Sequence, residues 1–143
     1  MQEVKASRDM VRLERCLDRE LFPLSMNQRD MWFQSQIHAQ QGLNNVCVQV
    51  TLDGELNVDF FRRAWQAVVD RHEALRTVFV EVEGTPQQQI LSHVQVTFSV
   101  QDLSGKSAAE HAVHVKAVEQ ELVSRQFDFS AGPLFRFALL QFD

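Results

Sequence analysis

Arg71-His72-Glu73-Ala74-Leu75-Arg76-Thr77-Val78-Phe79 is the stretch on which the reading of this 143-residue chain turns. Before it, Val58, Phe61, Ala64, Trp65, Val68 and Val69 recur at helical spacing. After it, Val78, Val80 and Val82 alternate with Thr77, Phe79 and Glu81, the period of a strand. Two arginines, a histidine and a glutamate are therefore packed into the junction of two elements that must bury their apolar faces. A buried unpaired charge is costly. The sequence thus predicts a carboxylate facing Arg71 or Arg76, supplied by Glu73 or by another part of the fold.

Downstream, Glu83-Gly84-Thr85-Pro86 reads as a hairpin loop leading to a short strand from about Gln87 to Leu91. Val94, Val96, Phe98 and Val100 predict a further strand, and Asp102-Leu103-Ser104-Gly105 a loop. A helix is expected from about Ser107 to Gln126, with Ala108, Ala112, Val115 and Leu122 on one face. Phe127 to Pro133 turns the chain. The run Leu134 to Phe142 is apolar except for Arg136 and Gln141, the pattern of a central strand covered on both faces. Such a strand as the last element implies that its partner strands lie elsewhere.

Upstream, Asn57 is placed to cap the helix before the central stretch, with Asp59 in its first turn. Asp53-Gly54 marks a turn. Val46, Val48, Val50 and Leu52 alternate with Cys47, Gln49, Thr51 and Asp53, the cleanest strand pattern in the chain. Pro23-Leu24-Ser25 opens another helix. Ser25 and Gln28 have capping-box spacing, and the helix carries Met31, Trp32, Phe33 and Ile37 to about Gly42. Residues 1–21 read as a charged lead-in expected to be helical, a linker or docking segment. Residues 22–143 form the folded unit. The element order predicts an α/β two-layer sandwich, with helices on a mixed, mostly antiparallel sheet.

The net charge of −5, without a basic stripe, argues against a nucleic-acid partner. No apolar run is long enough to cross a bilayer, and Met1 to Glu20 has no signal-peptide core. Cys16 and Cys47 form no CxxC pair, which fits a reducing cytoplasm. The GxSxG, GxGxxG, P-loop and HExxH signatures are absent. His111 and His114, three apart on a helix, have the spacing of metal ligands but no further ligand set, so no metal is expected. His38 and His93 read as surface residues, and His72 as structural.

Two phrases carry a resemblance. Ser25-Met26-Asn27-Gln28-Arg29-Asp30-Met31-Trp32 resembles the S-x-A-Q-x-R-[LM]-W motif that opens the condensation domains of nonribosomal peptide synthetases. Asn27 stands at the usual Ala, and Asp30 precedes the hydrophobic–Trp pair. Arg71 to Phe79 matches that family's R-H-E-x-L-R-T-x-F at every fixed position. Leu52 to Leu56, Ala64 to Val69, Asp102 to Gly105 and Phe127-Asp128 with Gly132-Pro133-Leu134 are weaker echoes in the same order.

The resemblance implies half of a chloramphenicol-acetyltransferase-like fold. It also implies an amide-forming acyltransferase of antibiotic and other secondary-metabolite biosynthesis, in the cytoplasm. The acceptor amine attacks a donor thioester, both substrates riding on phosphopantetheine arms of acyl or peptidyl carrier proteins. The family's catalytic H-H-x-x-x-D-G motif is absent, and none of the five histidines is followed by another. No catalytic residue is therefore expected in this chain, which should be inactive alone. The resemblance places Arg71, with Arg76 second, in support of the catalytic loop through its Asp. It places Ser25, Gln28, Trp32, His72 and Glu73 near the substrate tunnel. The implied partners are carrier proteins and the C-terminal half of the domain. Two alternatives stand beside it: a non-catalytic module that docks carrier proteins or a neighbouring subunit, and a related acyltransferase or cyclisation domain with a different acceptor. Apolar surface left by the missing half predicts a homodimer through the final strand or the helix from Ser107.

Overall fold

Val82 and Thr85 are joined by a two-residue turn in which Glu83 (φ 50°) and Gly84 (φ 76°) both take positive φ. Paired positive φ values match the twist of the strands they join. In this computed structural model, which describes residues 21–37 and 45–142, the turn links β2 (Thr77–Val82) to β3 (Thr85–Ile90). Their antiparallel register runs from Thr77↔Ile90 to Val82↔Thr85. The other edge of β3 takes up β1 (Leu21–Pro23), with Leu21 opposite Gln89 and Pro23 opposite Gln87. Pro23, which has no N–H, is tolerated because β1 is an edge strand. Its carbonyl accepts from Gln88 Nε2 at 3.1 Å.

Helix α1 (Met26–Ile37) follows β1, and α2 (Val58–Arg71) precedes β2. The expected cap is present: Asn57 Oδ1 accepts from Phe60 N at 3.0 Å. Val69 on α2 is fully buried and packs with Val94 and Val96, with Trp65, Leu75, Leu91, Phe98, Phe135 and Phe137 around them. Phe137 lies 5.0 Å from Trp65 and 4.8 Å from Phe98, ring centre to ring centre. A second sheet pairs β4 (Ser99–Asp102) with β5 (Ala138–Gln141) in parallel, with α3 (Ala108–Ser124) as the crossover helix a parallel pair requires. Ser107 and Glu110 close a full capping box at the start of α3. Asn45 Nδ2 donates to Val123 O and Arg125 O, both at 2.8 Å, and so satisfies carbonyls at its end. The chain is α/β with mixed sheets, as expected.

Several local expectations fail. Residues 46–52 form no strand: they have no ladder partner among the described residues, and Val46, Val48 and Val50 are 88%, 77% and 71% exposed. The predicted 94–100 strand is regular only from Ser99. Val94 and Val96 do point inward, but their backbone partner is a side chain. Gln66 on α2 donates from Nε2 to Val94 O (2.9 Å) and accepts at Oε1 from Val96 N (2.9 Å), replacing the bonds of a neighbouring strand. Among the described residues the regular part of the final strand is β5, which pairs with β4 on one side. On α3 the inward face is set by His111, Val115, Val118 and Leu122, while Ala108 and Ala112 are exposed. On α1 only Trp32 is buried, and Met31 and Phe33 remain 41% and 47% exposed. The lead-in before Leu21, His38 and Cys16 lie outside the described residues.

Gln66→Leu keeps the side-chain volume and orphans both the Val94 carbonyl and the Val96 amide. The expected loss is about 2–3 kcal/mol, read as a lower urea midpoint at unchanged m-value.

The loop from Phe127 to Pro133 is built on Asp128. Its Oδ1 accepts from Ser130 N (2.9 Å), Ser130 Oγ (2.7 Å) and Ala131 N (3.1 Å). The loop docks on β2 where Phe129 O accepts from Phe79 N at 2.7 Å. The Ser130 hydroxyl first, then the Ser130 and Ala131 amides, hold the Asp128 carboxyl below the usual aspartate range. A depressed folded pKa stabilises the fold fully above the unfolded value of about 3.9 and loses that contribution as pH falls through the lower folded value. Thermal midpoints measured from about pH 6 to about pH 2 should therefore fall on the acid side, and less steeply in Asp128→Asn.

Candidate functional site

The two motif stretches meet through the β1–β3–β2 sheet. Ser25 and Gln28 form a reciprocal cap: Ser25 N donates to Gln28 Oε1 at 2.8 Å, and Gln28 N to Ser25 Oγ at 3.3 Å. Gln28 Nε2 also reaches Gln88 Oε1 on β3 at 3.3 Å, tying the start of α1 to the sheet. Trp32, one turn on, is buried with its ring edge-on to Phe33. Ser25 and Gln28 of the first motif are thus spent on positioning α1.

The second motif forms the corner between α2 and β2. His72 ends α2, its backbone N–H donating to Val68 O, and Glu73–Arg76 make one 3-10 turn before β2 begins. Thr77 Oγ1 donates back to Glu73 O at 2.9 Å. Arg76 folds under the corner. Its Nε donates to Val69 O at 3.2 Å and its Nη2 to Asp70 O at 3.3 Å, while Nη1 donates to Leu91 O just past the end of β3. Leu91 N returns a bond to Arg76 O at 2.9 Å.

The sequence predicts a carboxylate facing Arg71 or Arg76, and the structure corrects that: among the described residues neither arginine has an ion pair. Carbonyls near the end of a helix carry the negative end of its dipole, and three carbonyl oxygens occupy the Arg76 guanidinium. The Asp70 carboxylate instead accepts from Gln66 Nε2 at 2.8 Å and lies 3.6 Å from His93 Nδ1. Arg71, His72 and Glu73 are exposed on the outer side of the corner. Among the described residues none of their side chains has a hydrogen bond or ion pair.

The structure therefore places the seven motif residues in three settings. Ser25 and Gln28 cap α1, with Gln28 reaching β3, and Trp32 is buried on the same helix; Arg76 lies under the corner, and Arg71, His72 and Glu73 are exposed. No group of three His, Cys, Asp or Glu side chains suited to a metal occurs among the described residues. His111 Nε2 lies 3.0 Å from Leu103 O, and its ring packs on Phe142.

Arg136 emerges as a residue the sequence marked only as the one charge in an apolar run. Its guanidinium carbon stands 3.7 Å over the Phe127 ring, and Nη1 is buried without a hydrogen-bond partner among the described residues. Burial first, and the nearby charge of Arg125 second, push its pKa downward.

A profile of the condensation domain matches residues 18–143. The chain belongs to the condensation-domain family. A linear gramicidin synthase of Brevibacillus parabrevis is 32% identical over 125 residues, covering 87% of this chain and 2% of that protein. Surfactin synthase subunit 1 of Bacillus subtilis is 33% identical over 121 residues, covering 85% of this chain and 3% of its own length. This condensation-domain chain therefore spans a few hundredths of the curated relatives it matches. Among solved structures, the starter condensation domain of rhizomide synthetase RzmA superposes with a TM-score of 0.74 at 23% identity, covering 85% of this chain and 29% of that one. SgcC5 from Streptomyces globisporus superposes with a TM-score of 0.57 at 32% identity, covering 63% of this chain and 20% of its own. The fold is that of part of a chloramphenicol-acetyltransferase-like condensation domain. No helix among the described residues is long and apolar enough to cross a membrane.

Proposed function

We propose that this chain is the N-terminal portion of a nonribosomal peptide synthetase condensation domain, and that the whole domain joins a carrier-bound acyl or peptidyl donor to a carrier-bound aminoacyl acceptor. In that reaction the acceptor nitrogen attacks the donor thioester carbonyl. A C–N bond forms, the C–S bond breaks, the nitrogen gives up a proton and the departing pantetheine sulfur takes one up. The observation that carries the reading is the complete Arg71–Phe79 motif standing as the α2–β2 corner, with the first motif tied to the same sheet through Gln28 and Gln88.

On this reading the chain supplies scaffold and not proton transfer. A general base must reach the amine within hydrogen-bond distance, and the paired histidines of the family motif are not in this sequence. Arg71 is the stronger candidate to grip the Asp of the catalytic loop, because its guanidinium is exposed and uncommitted while Arg76 is taken up by carbonyls. A planar guanidinium holds a carboxylate with two bonds and so fixes a loop in shape. Ser25, Gln28, Trp32, His72 and Glu73 then border the path of the phosphopantetheine arms, which arrive as part of the substrates on carrier proteins. The C-terminal half of the domain is the structural partner.

A second reading, an acyltransferase with a hydroxyl acceptor, draws on SgcC5, whose structure was solved with (R)-(-)-1-(2-naphthyl)-1,2-ethanediol, a diol. The isolated chain, given two loaded carrier proteins, should form no amide above background in a mass-spectrometric assay. Turnover by the chain alone would overturn the assignment of proton transfer to another segment and direct attention to His72 and His93.

A further inference from the structure

Asp53 is the one aspartate among the described residues whose carboxylate and following N–H are both without a hydrogen bond. The others are committed. Asp102 and Asp128 accept from the Ser104 and Ser130 hydroxyls. Asp59 accepts from Arg62, and Asp70 from Gln66. Asp30 lies inside α1, so the N–H after it is a helix amide. The asparagines are held in the same way. Asn45 and Asn57 bond through their side chains, and the amide after Asn27 donates to Ser25 Oγ.

The residue after Asp53 is Gly54, and no other Asp or Asn in the chain is followed by glycine. Both residues are exposed. Gly54 has φ +111°, and a Cβ placed on it would meet nothing within 4 Å. A glycine nitrogen has no neighbouring side chain to screen it, and its backbone turns freely. On the N-terminal side, residues 46–52 join no ladder among the described residues, so no sheet holds the joint in extended form. A free carboxyl and a free amide held one bond vector apart are set for intramolecular attack, which gains greatly from proximity.

We propose that Asp53-Gly54 is a self-modification site that passes through a succinimide to isoaspartate. The Gly54 nitrogen attacks Cγ of the protonated Asp53 carboxyl. A C–N bond forms, the C–O bond to the hydroxyl breaks, and the hydroxyl leaves as water with the proton of the nitrogen. Water then adds to one ring carbonyl and breaks its bond to nitrogen. Opening at Cγ restores aspartate. Opening at the main-chain carbonyl leaves Gly54 joined to Cγ, with one more methylene in the backbone and a free α-carboxylate. Water is the sole co-reactant. The site lies between the 46–52 segment and the Asn57 cap of α2, so the change alters the spacing between them. The proposal rests on this joint alone and holds whether or not the amide-forming reading does.

The folded 143-residue chain is incubated in warm neutral buffer made with heavy-oxygen water, digested, and read by fragmenting mass spectrometry. Isoaspartate and label should accumulate at Asp53 faster than at any other Asp or Asn. The rate in the folded chain should lie within tenfold of the rate in the same chain unfolded in urea, because the fold leaves both groups free. Gly54→Ala, with an unchanged far-ultraviolet spectrum, should slow the reaction at least tenfold. A folded chain that reacts at Asp53 more than tenfold slower than the unfolded chain overturns the proposal. So does faster reaction at another described aspartate.

Discussion

Gly132→Ala is expected to lower the thermal midpoint by roughly 10 °C, a loss of about 3 kcal/mol for a chain of this size. Gly132 has φ +60°, and an added Cβ would stand 2.7 Å from Val78 Cγ1. The left-handed conformation costs a non-glycine residue about 1–2 kcal/mol. The clash adds about 1–3 kcal/mol, because Val78 cannot yield. Val78 is 1% exposed on β2, and the loop above it is held by Asp128 and by the Phe79–Phe129 bond. Gly84→Ala separates the two costs. Its φ is +76° with nothing within 4 Å of the added carbon, so it should lose only about 1 kcal/mol. Equal losses at the two positions would show that a carbon added at Gly132 does not clash with Val78.

Arg76→Met should cost about 3 kcal/mol, seen as a lower urea midpoint with unchanged m-value. Methionine keeps the apolar stem and removes every donor, so the carbonyls of Val69, Asp70 and Leu91 lose their common partner. Arg76→Lys should recover less than half of the loss, since one ammonium on a flexible stem cannot serve three carbonyls set around a planar fork. Arg71→Ala, at the exposed end of α2, should change stability by less than about 0.5 kcal/mol. A similar loss at both arginines would mean that the corner is not locked by Arg76.

These pairs show what the sequence carried. The α2–β2 junction, the Asn57 cap and the Glu83-Gly84 turn were legible because each depends on neighbours within a few residues. The carbonyl cradle of Arg76 was not, because charge pairing was sought among carboxylates and Leu91 is fifteen positions away. Gln66 was read past as a polar position on α2, since no periodicity reveals a side chain that replaces a strand. The 46–52 segment alternates like a strand. Alternation reports what a segment is suited to pair with, not whether the partner is present. Of the candidate site, the motif identities were legible, but not their division between the sheet and the exposed corner. Arg136 over Phe127 was visible only as a charge out of place.

On this account the chain is the N-terminal, scaffold portion of a condensation domain, and the remainder supplies the proton-handling loop. That assignment is tested most directly by fusing the 143 residues in frame to the remaining part of a condensation domain from surfactin synthase subunit 1, a relative 33% identical to it. The fusion is then assayed by mass spectrometry for amide formation between that domain's two loaded carrier proteins. Product is expected from the fusion and none from either part alone. A fusion that folds cooperatively and binds both carriers but forms no amide would contradict the claim.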